Sequence, residues 1–198
     1  MTKNKKEIRL LDVRATENAE MTIEGYAVIF DSPATHCWTE TITKDAFDEC
    51  DMTDVCLKYN HEDNFLLLAR TRNKSLELIV DDKGLKIKAQ LINTTSNRDI
   101  YKSIQSGLLD KMSFAFTVAD DEWNYEENTR TIKKIDKLFD VSVVDVPFYD
   151  TTEVFARSKE EYEKEKSNYF DLKLKKSKLE LLCSLWYTSI MNLEFNRL

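Results

Sequence analysis

The chain has 198 residues, 36 Asp+Glu against 29 Lys+Arg, a formal net charge of −7 and a pI near 5.1. A hydrophobic share of 42% supplies a core and excludes global disorder, while 3 Gly and 2 Pro exclude collagen-like and Gly-rich phosphate-loop proteins. The acidic balance argues against sequence-independent nucleic-acid binding, and charges break every apolar run before about 18 residues, so no membrane span is expected.

Residues 1–6 are basic, but no apolar stretch of signal-peptide type follows, so a cytosolic chain is the expectation. Residues 21–30 are apolar and β-rich and end at Asp31-Ser32-Pro33, which reads as a strand and a turn. Residues 42–49 predict one or two helical turns with Thr43 as N-cap, and 55–59 form a short apolar run. Apolar residues alternate over 75–80 and 85–91 around Asp81-Asp82-Lys83-Gly84, a hairpin in which Gly84 is the residue suited to a positive φ. Residues 96–106 predict a helix capped by Thr95 or Ser96. Its apolar stripe is Ile100, Ile104 and Leu108, and Gly107 stands just past its end. Residues 112–119 and 138–146 alternate again, joined by a polar hairpin around 126–130. Many short strands around one interior helix predict a mainly β, α+β domain: a β-barrel or closed sheet.

Composition changes near residue 157. Residues 158–198 carry eight basic and seven acidic side chains and no Gly or Pro, so the acidic excess lies in the first 157 residues. A charge-dense stretch at 159–166 precedes Leu179, Leu182, Trp186, Ile190 and Leu193, spaced for one helical face. The expected division is a domain at 1–157 and a helical tail at 158–198. The tail's apolar face would be covered either by the chain's own domain or by a partner.

Chemistry is bounded by two histidines, His36 and His61, which exclude a His-rich metal site. The four cysteines form no C-x-x-C pair and read as reduced thiols packed as small hydrophobes. His61 follows the 55–59 run, Ser113 begins a strand after Gly107, and Asp140 lies in the apolar strand Leu138–Val144, on one face with Leu138, Ser142 and Val144 by strict alternation. A carboxylate in such a strand is costly without a partner. Two other groupings are weaker. Cys56 and His61 lie close in sequence, but a nucleophile and its base usually come from separate elements. His36-Cys37 near Glu40 lacks a distant fourth metal ligand.

Taken together, the blocks have a recognisable order. Gly25-x-Ala27-x-x-Phe30-Asp31 comes first, then Glu40 with Ala46-Phe47, then Asn60-His61-Glu62. Lys83-Gly84-Leu85, Thr94 or Thr95 before a helix, Gly107-Leu-Leu-x-x-Met112-Ser113-Phe114-x-Phe116 and Trp123 follow. Asp140-Val141-Ser142-Val143-Val144-x-x-Pro147 and Thr152…Ala156-Arg157 come last. Over residues 8–157 this resembles the prohead (capsid maturation) protease family of tailed bacteriophages, distant relatives of herpesvirus assemblin.

The resemblance implies an assemblin-like closed barrel flanked by helices and a serine endopeptidase using neither cofactor nor metal. Ser113 would be the nucleophile, His61 the base and Asp140 the third member, where the phage family commonly has glutamate; Asp145 is the alternative acid. Oxyanion donors would be sought at 147–152, where Phe148-Tyr149 replaces smaller neighbours. Implied substrates are scaffold segments of the major capsid protein and the protease itself, inside the procapsid in the bacterial host cytoplasm. A homodimer would follow the herpesvirus relatives. The rival reading is a non-enzymatic scaffold or assembly factor derived from such a protease.

Overall fold

The computed structural model describes residues 6–15, 21–35, 37–63, 67–145 and 153–195. The chain divides into two compact units, 1–149 and 150–198.

The described part of the first unit is mainly β. Its strands are β1 (Lys6–Ala15), β2 (Thr22–Ile29), β3 (Ala34–Thr35), β4 (Thr39–Ile42), β5 (Cys56–Tyr59), β6 (Ala69–Arg70), β7 (Leu76–Val80), β8 (Gly84–Gln90), β9 (Lys111–Asn124) and β10 (Thr129–Val144). One helix, α1 (Thr95–Gln105), and two short 3-10 turns, Lys44–Phe47 and Thr71–Asn73, interrupt them. The main path of the sheet is β3-β4-β10-β9-β1-β2-β8-β7, with β5 on β10 and β6 on β5. The centre is the long hairpin β9–β10, antiparallel throughout, with β1 antiparallel on the other side of β9.

The expected closed barrel is not found: among the described residues no ladder joins β3 to β7. The reason lies along β10. Its first part pairs in parallel with β4 at Thr129–Ile132, and its last part pairs in parallel with a different strand, β5, at Asp140–Val143. The sheet branches there instead of curling into one closing ladder.

Several local expectations shift. Thr94 caps α1, its side chain accepting from the Asn97 amide, so Thr95 and Ser96 are the helix's first residues. Ile100 and Ile104 are buried as the period requires, but Leu108 is 76% exposed. Gly107, at φ +73°, has already turned the chain, and Leu109 takes the buried place instead. Gly84 has no positive φ. It is needed because a Cβ there would stand 1.9 Å from the Val28 carbonyl oxygen of neighbouring β2.

Met112–Thr117 of β9 and Asp140–Val144 of β10 are buried on both faces, the signature of strands covered above and below. Met112, Phe114 and Phe116 stand opposite Val143, Val141 and Leu138 and belong to the hydrophobic core. Each such side chain contributes about 1.5–3 kcal/mol by leaving water. The other face carries Ser113, Ala115, Asp140 and Ser142, and it is the polar one.

The described part of the second unit is one helix, α2 (Glu153–Phe195), 43 residues long. Leu179 and Leu182 of the expected stripe are exposed, while the side chains of Trp186, Ile190 and Leu193 lie outside the described residues. Among the described residues no helix is long and apolar enough to cross a membrane.

Candidate active site

Three segments meet on the polar face. In the β9–β10 ladder Ser142 stands directly opposite Ser113, and Asp140 opposite Ala115. On the other side of β10, β5 brings Cys56 opposite Asp140 and Lys58 opposite Ser142. Ser113, Asp140 and Ser142 are all fully buried.

His61 arrives from the end of β5 through a tight turn. Asn60 and His61 both have positive φ, +50° and +57°, and the Glu62 amide donates to the Tyr59 carbonyl at 3.0 Å. Two successive left-handed non-glycine residues are costly, about 1–3 kcal/mol each, and persist only where their surroundings hold them. Here the Asn60 amide donates to the Val143 carbonyl at 2.9 Å and its side chain accepts from the Asp145 amide at 3.1 Å. The turn folds the imidazole back over β10.

There His61 Nε2 lies 2.8 Å from Ser113 Oγ, and Nδ1 is hydrogen-bonded to Asp140 Oδ1. An ionised carboxylate only accepts, so Nδ1 carries the proton and Nε2 is the acceptor of the serine hydroxyl. Ser142 Oγ donates to Asp140 Oδ1 at 3.1 Å and accepts from the His61 backbone amide at 3.2 Å. Lys58 Nζ stands 3.7 Å from Asp140 Oδ2 and also pairs with Asp63. Burial opposes its charge, but the hydrogen bond to Asp63 and the field of Asp140 outweigh that and raise the Lys58 pKa above its ordinary value.

Ser113, His61 and Asp140, proposed from sequence, are thus brought together. Asp145, the alternative acid, instead accepts from the Tyr59 hydroxyl at 2.9 Å. Cys56 is not what the imidazole addresses, since both ring nitrogens are directed at Ser113 and Asp140. Glu40 of the candidate metal fragment meets the Arg130 guanidinium at 3.1 Å in a buried ion pair, and His36 lies outside the described residues. The proposed oxyanion segment, 147–152, also lies outside them. Burial pushes the Cys50 thiol up to about 11, which makes it an inert core group.

Ser142 and Lys58 were not singled out from sequence. Both follow from parity once the ladders are known, because directly opposed residues share a face.

A hydroxyl, an imidazole and a buried carboxylate hydrogen-bonded in that order are suited to base-assisted nucleophilic attack by serine, the chemistry of serine hydrolases. Comparison with known proteins agrees in class. The model of the caudovirus prohead serine protease family matches residues 9–166, and the chain belongs to that family. It is 35% identical over 78 residues to the prohead protease of Escherichia phage T5, a stretch covering 39% of this chain and 36% of the T5 protein. Among solved structures it is similar to the bacteriophage T4 capsid assembly protease, with a TM-score of 0.50 and 12% identity over 71% of this chain and 99% of that one. At that identity the likeness is one of fold.

Proposed function

We propose that this chain is a serine endopeptidase of capsid maturation, with Ser113 as nucleophile, His61 as general base and Asp140 as the group that orients it. As Oγ attacks the scissile carbonyl carbon, its proton passes to His61 Nε2 while Nδ1–H stays on Asp140. The same Nε2 proton then goes to the leaving amine, and an acyl ester remains on Ser113. A water molecule, deprotonated by His61, hydrolyses the ester, and the proton returns to Oγ as the acid departs. Asp140 holds the imidazole tautomer and stabilises the imidazolium.

The observation that supports this reading is the unbroken link from Ser113 Oγ through both ring nitrogens of His61 to Asp140. A purely scaffolding role would not call for that link, nor for the strained turn that delivers His61. The substrates in this reading are scaffold segments of the major capsid protein and the protease itself, cut inside the assembling procapsid in the host cytoplasm. The chain acts as a homodimer, and the helical segment from residue 158 is a tether released by self-cleavage.

Co-expression with the major capsid protein tests the assignment. The unsubstituted chain trims it, and Ser113→Ala, which deletes one oxygen, slows trimming at least about a thousandfold. Trimming by a folded Ser113→Ala chain overturns the serine mechanism.

A further inference from the structure

Asp140 is fully buried, and an ionised carboxylate out of water is costly unless its oxygens are matched. Oδ1 is matched by His61 and Ser142. Oδ2 faces the ammonium of Lys58, whose side chain is itself only 12% exposed. By register Lys58, Ser142 and Ser113 form one row across β5, β10 and β9, so the ammonium approaches the carboxylate from the strand beyond the serine.

Building on the serine-protease reading, we propose that Lys58 is a positioning residue for the reaction. Its ammonium keeps Asp140 ionised and oriented, and its charge sets the pH at which the His61–Asp140 pair becomes competent.

The charge balance of the pair is the same whichever partner carries the proton. In the competent state the pair bears one negative charge between them; after taking up a proton it bears none. A fixed positive charge beside Oδ2 stabilises the first state and so extends it to lower pH.

Among the described residues, other charged and titratable groups lie around the pair. Glu62 and Asp63 follow His61, and Asp63 clamps the Lys58 ammonium. Cys56 stands opposite Asp140, Asp145 is hydrogen-bonded to Tyr59, and Arg70 on β6 is bound to Asp54. Among the described residues Lys58 is a cation placed on Asp140 Oδ2, 3.7 Å away, and its raised pKa keeps it charged.

The test uses the full chain and an alkyl fluorophosphonate, following the rate of Ser113 labelling by mass spectrometry from pH 5 to 10. For the unsubstituted chain the rate rises with pH to a plateau. Lys58→Met keeps the stem but not the charge, and moves the half-maximal pH up by about one unit, with the plateau held within about threefold. Lys58→Arg restores the half-maximal pH to within about 0.3 unit. Asp63→Asn, on a side chain 85% exposed, removes a negative charge from the pair's surroundings and moves the half-maximal pH down by a few tenths.

An unmoved half-maximal pH in folded Lys58→Met overturns the proposal, as does an equal displacement in Lys58→Arg. Should Lys58→Met fail to fold, Lys58→Gln decides, and an unmoved half-maximal pH there refutes it. Failure of the unsubstituted chain to label at Ser113 overturns the nucleophile assignment and this proposal together. That outcome is distinct from labelling with no displacement, which removes the Lys58 role alone.

Discussion

Leu138 and Asp140, two residues apart on one strand, lie on opposite faces of the sheet. Leu138 stands opposite Phe116 in the core, whereas Asp140 stands opposite Ala115, because the β9–β10 register steps by one between them. The extra residue is Phe139. Strict alternation would have placed the carboxylate on Leu138's face, against the aromatic core and away from His61. A bulge that re-aims a side chain is a known device beside active sites.

Inserting one alanine between Ala115 and Phe116 gives β9 a residue to match Phe139 and abolishes the bulge. Simple alternation then puts Asp140 and Leu138 in competition for one face, so labelling of Ser113 by a fluorophosphonate falls below detection. Phe139→Leu keeps the extra residue and retains labelling within about threefold, as a side chain that is only half-buried allows. Comparing the two labelling rates, with thermal melts as the control for folding, checks the bulge itself.

Ser142→Ala tests the group that ties the carboxylate to the strained turn. It leaves Asp140 Oδ1 one donor short and the His61 amide without this acceptor, a loss of about 1–3 kcal/mol by urea denaturation. The labelling rate drops by roughly tenfold to a hundredfold as the imidazole loosens. Ser142→Thr keeps the hydroxyl and recovers most of that rate. An alanine variant labelling at the unsubstituted rate would show that Ser142 does not support the site.

Two glycines separate close packing from backbone conformation. Gly84→Ala sets a Cβ 1.9 Å from the Val28 carbonyl oxygen, where no side chain can rotate out of the way. We expect a loss of about 3 kcal/mol or more, or no folding. Gly107→Ala meets nothing within 4 Å and pays only for its φ of +73°, about 1–2 kcal/mol. Denaturant midpoints of both variants give the order directly, and a smaller loss at Gly84 would contradict the β2–β8 spacing.

Local elements were the legible part of the fold. The β7–β8 hairpin and α1 are found within about two residues of where alternation and the 3.6-residue period place them, since both are stabilised by near neighbours. β1 is not legible in the sequence because charges interrupt its apolar residues. It becomes a strand by pairing with β9, about a hundred residues further along the chain. The flanks of β10 were equally hidden, because β4 and β5 are parallel neighbours whose partners lie far away in sequence.

The sequence by itself limited the chemistry to two histidines and, through the order of its blocks, brought His61, Ser113 and Asp140 forward as one set in a prohead protease. The tertiary structure decided what no spacing encodes: which face each side chain takes, and which groups surround the site. A register step at Phe139, two left-handed residues at Asn60 and His61, and the row from Lys58 to Ser113 all depend on pairings between distant strands. Side-chain direction in a sheet has a period of two, so one inserted residue reverses it, and only the completed ladder shows where that residue falls.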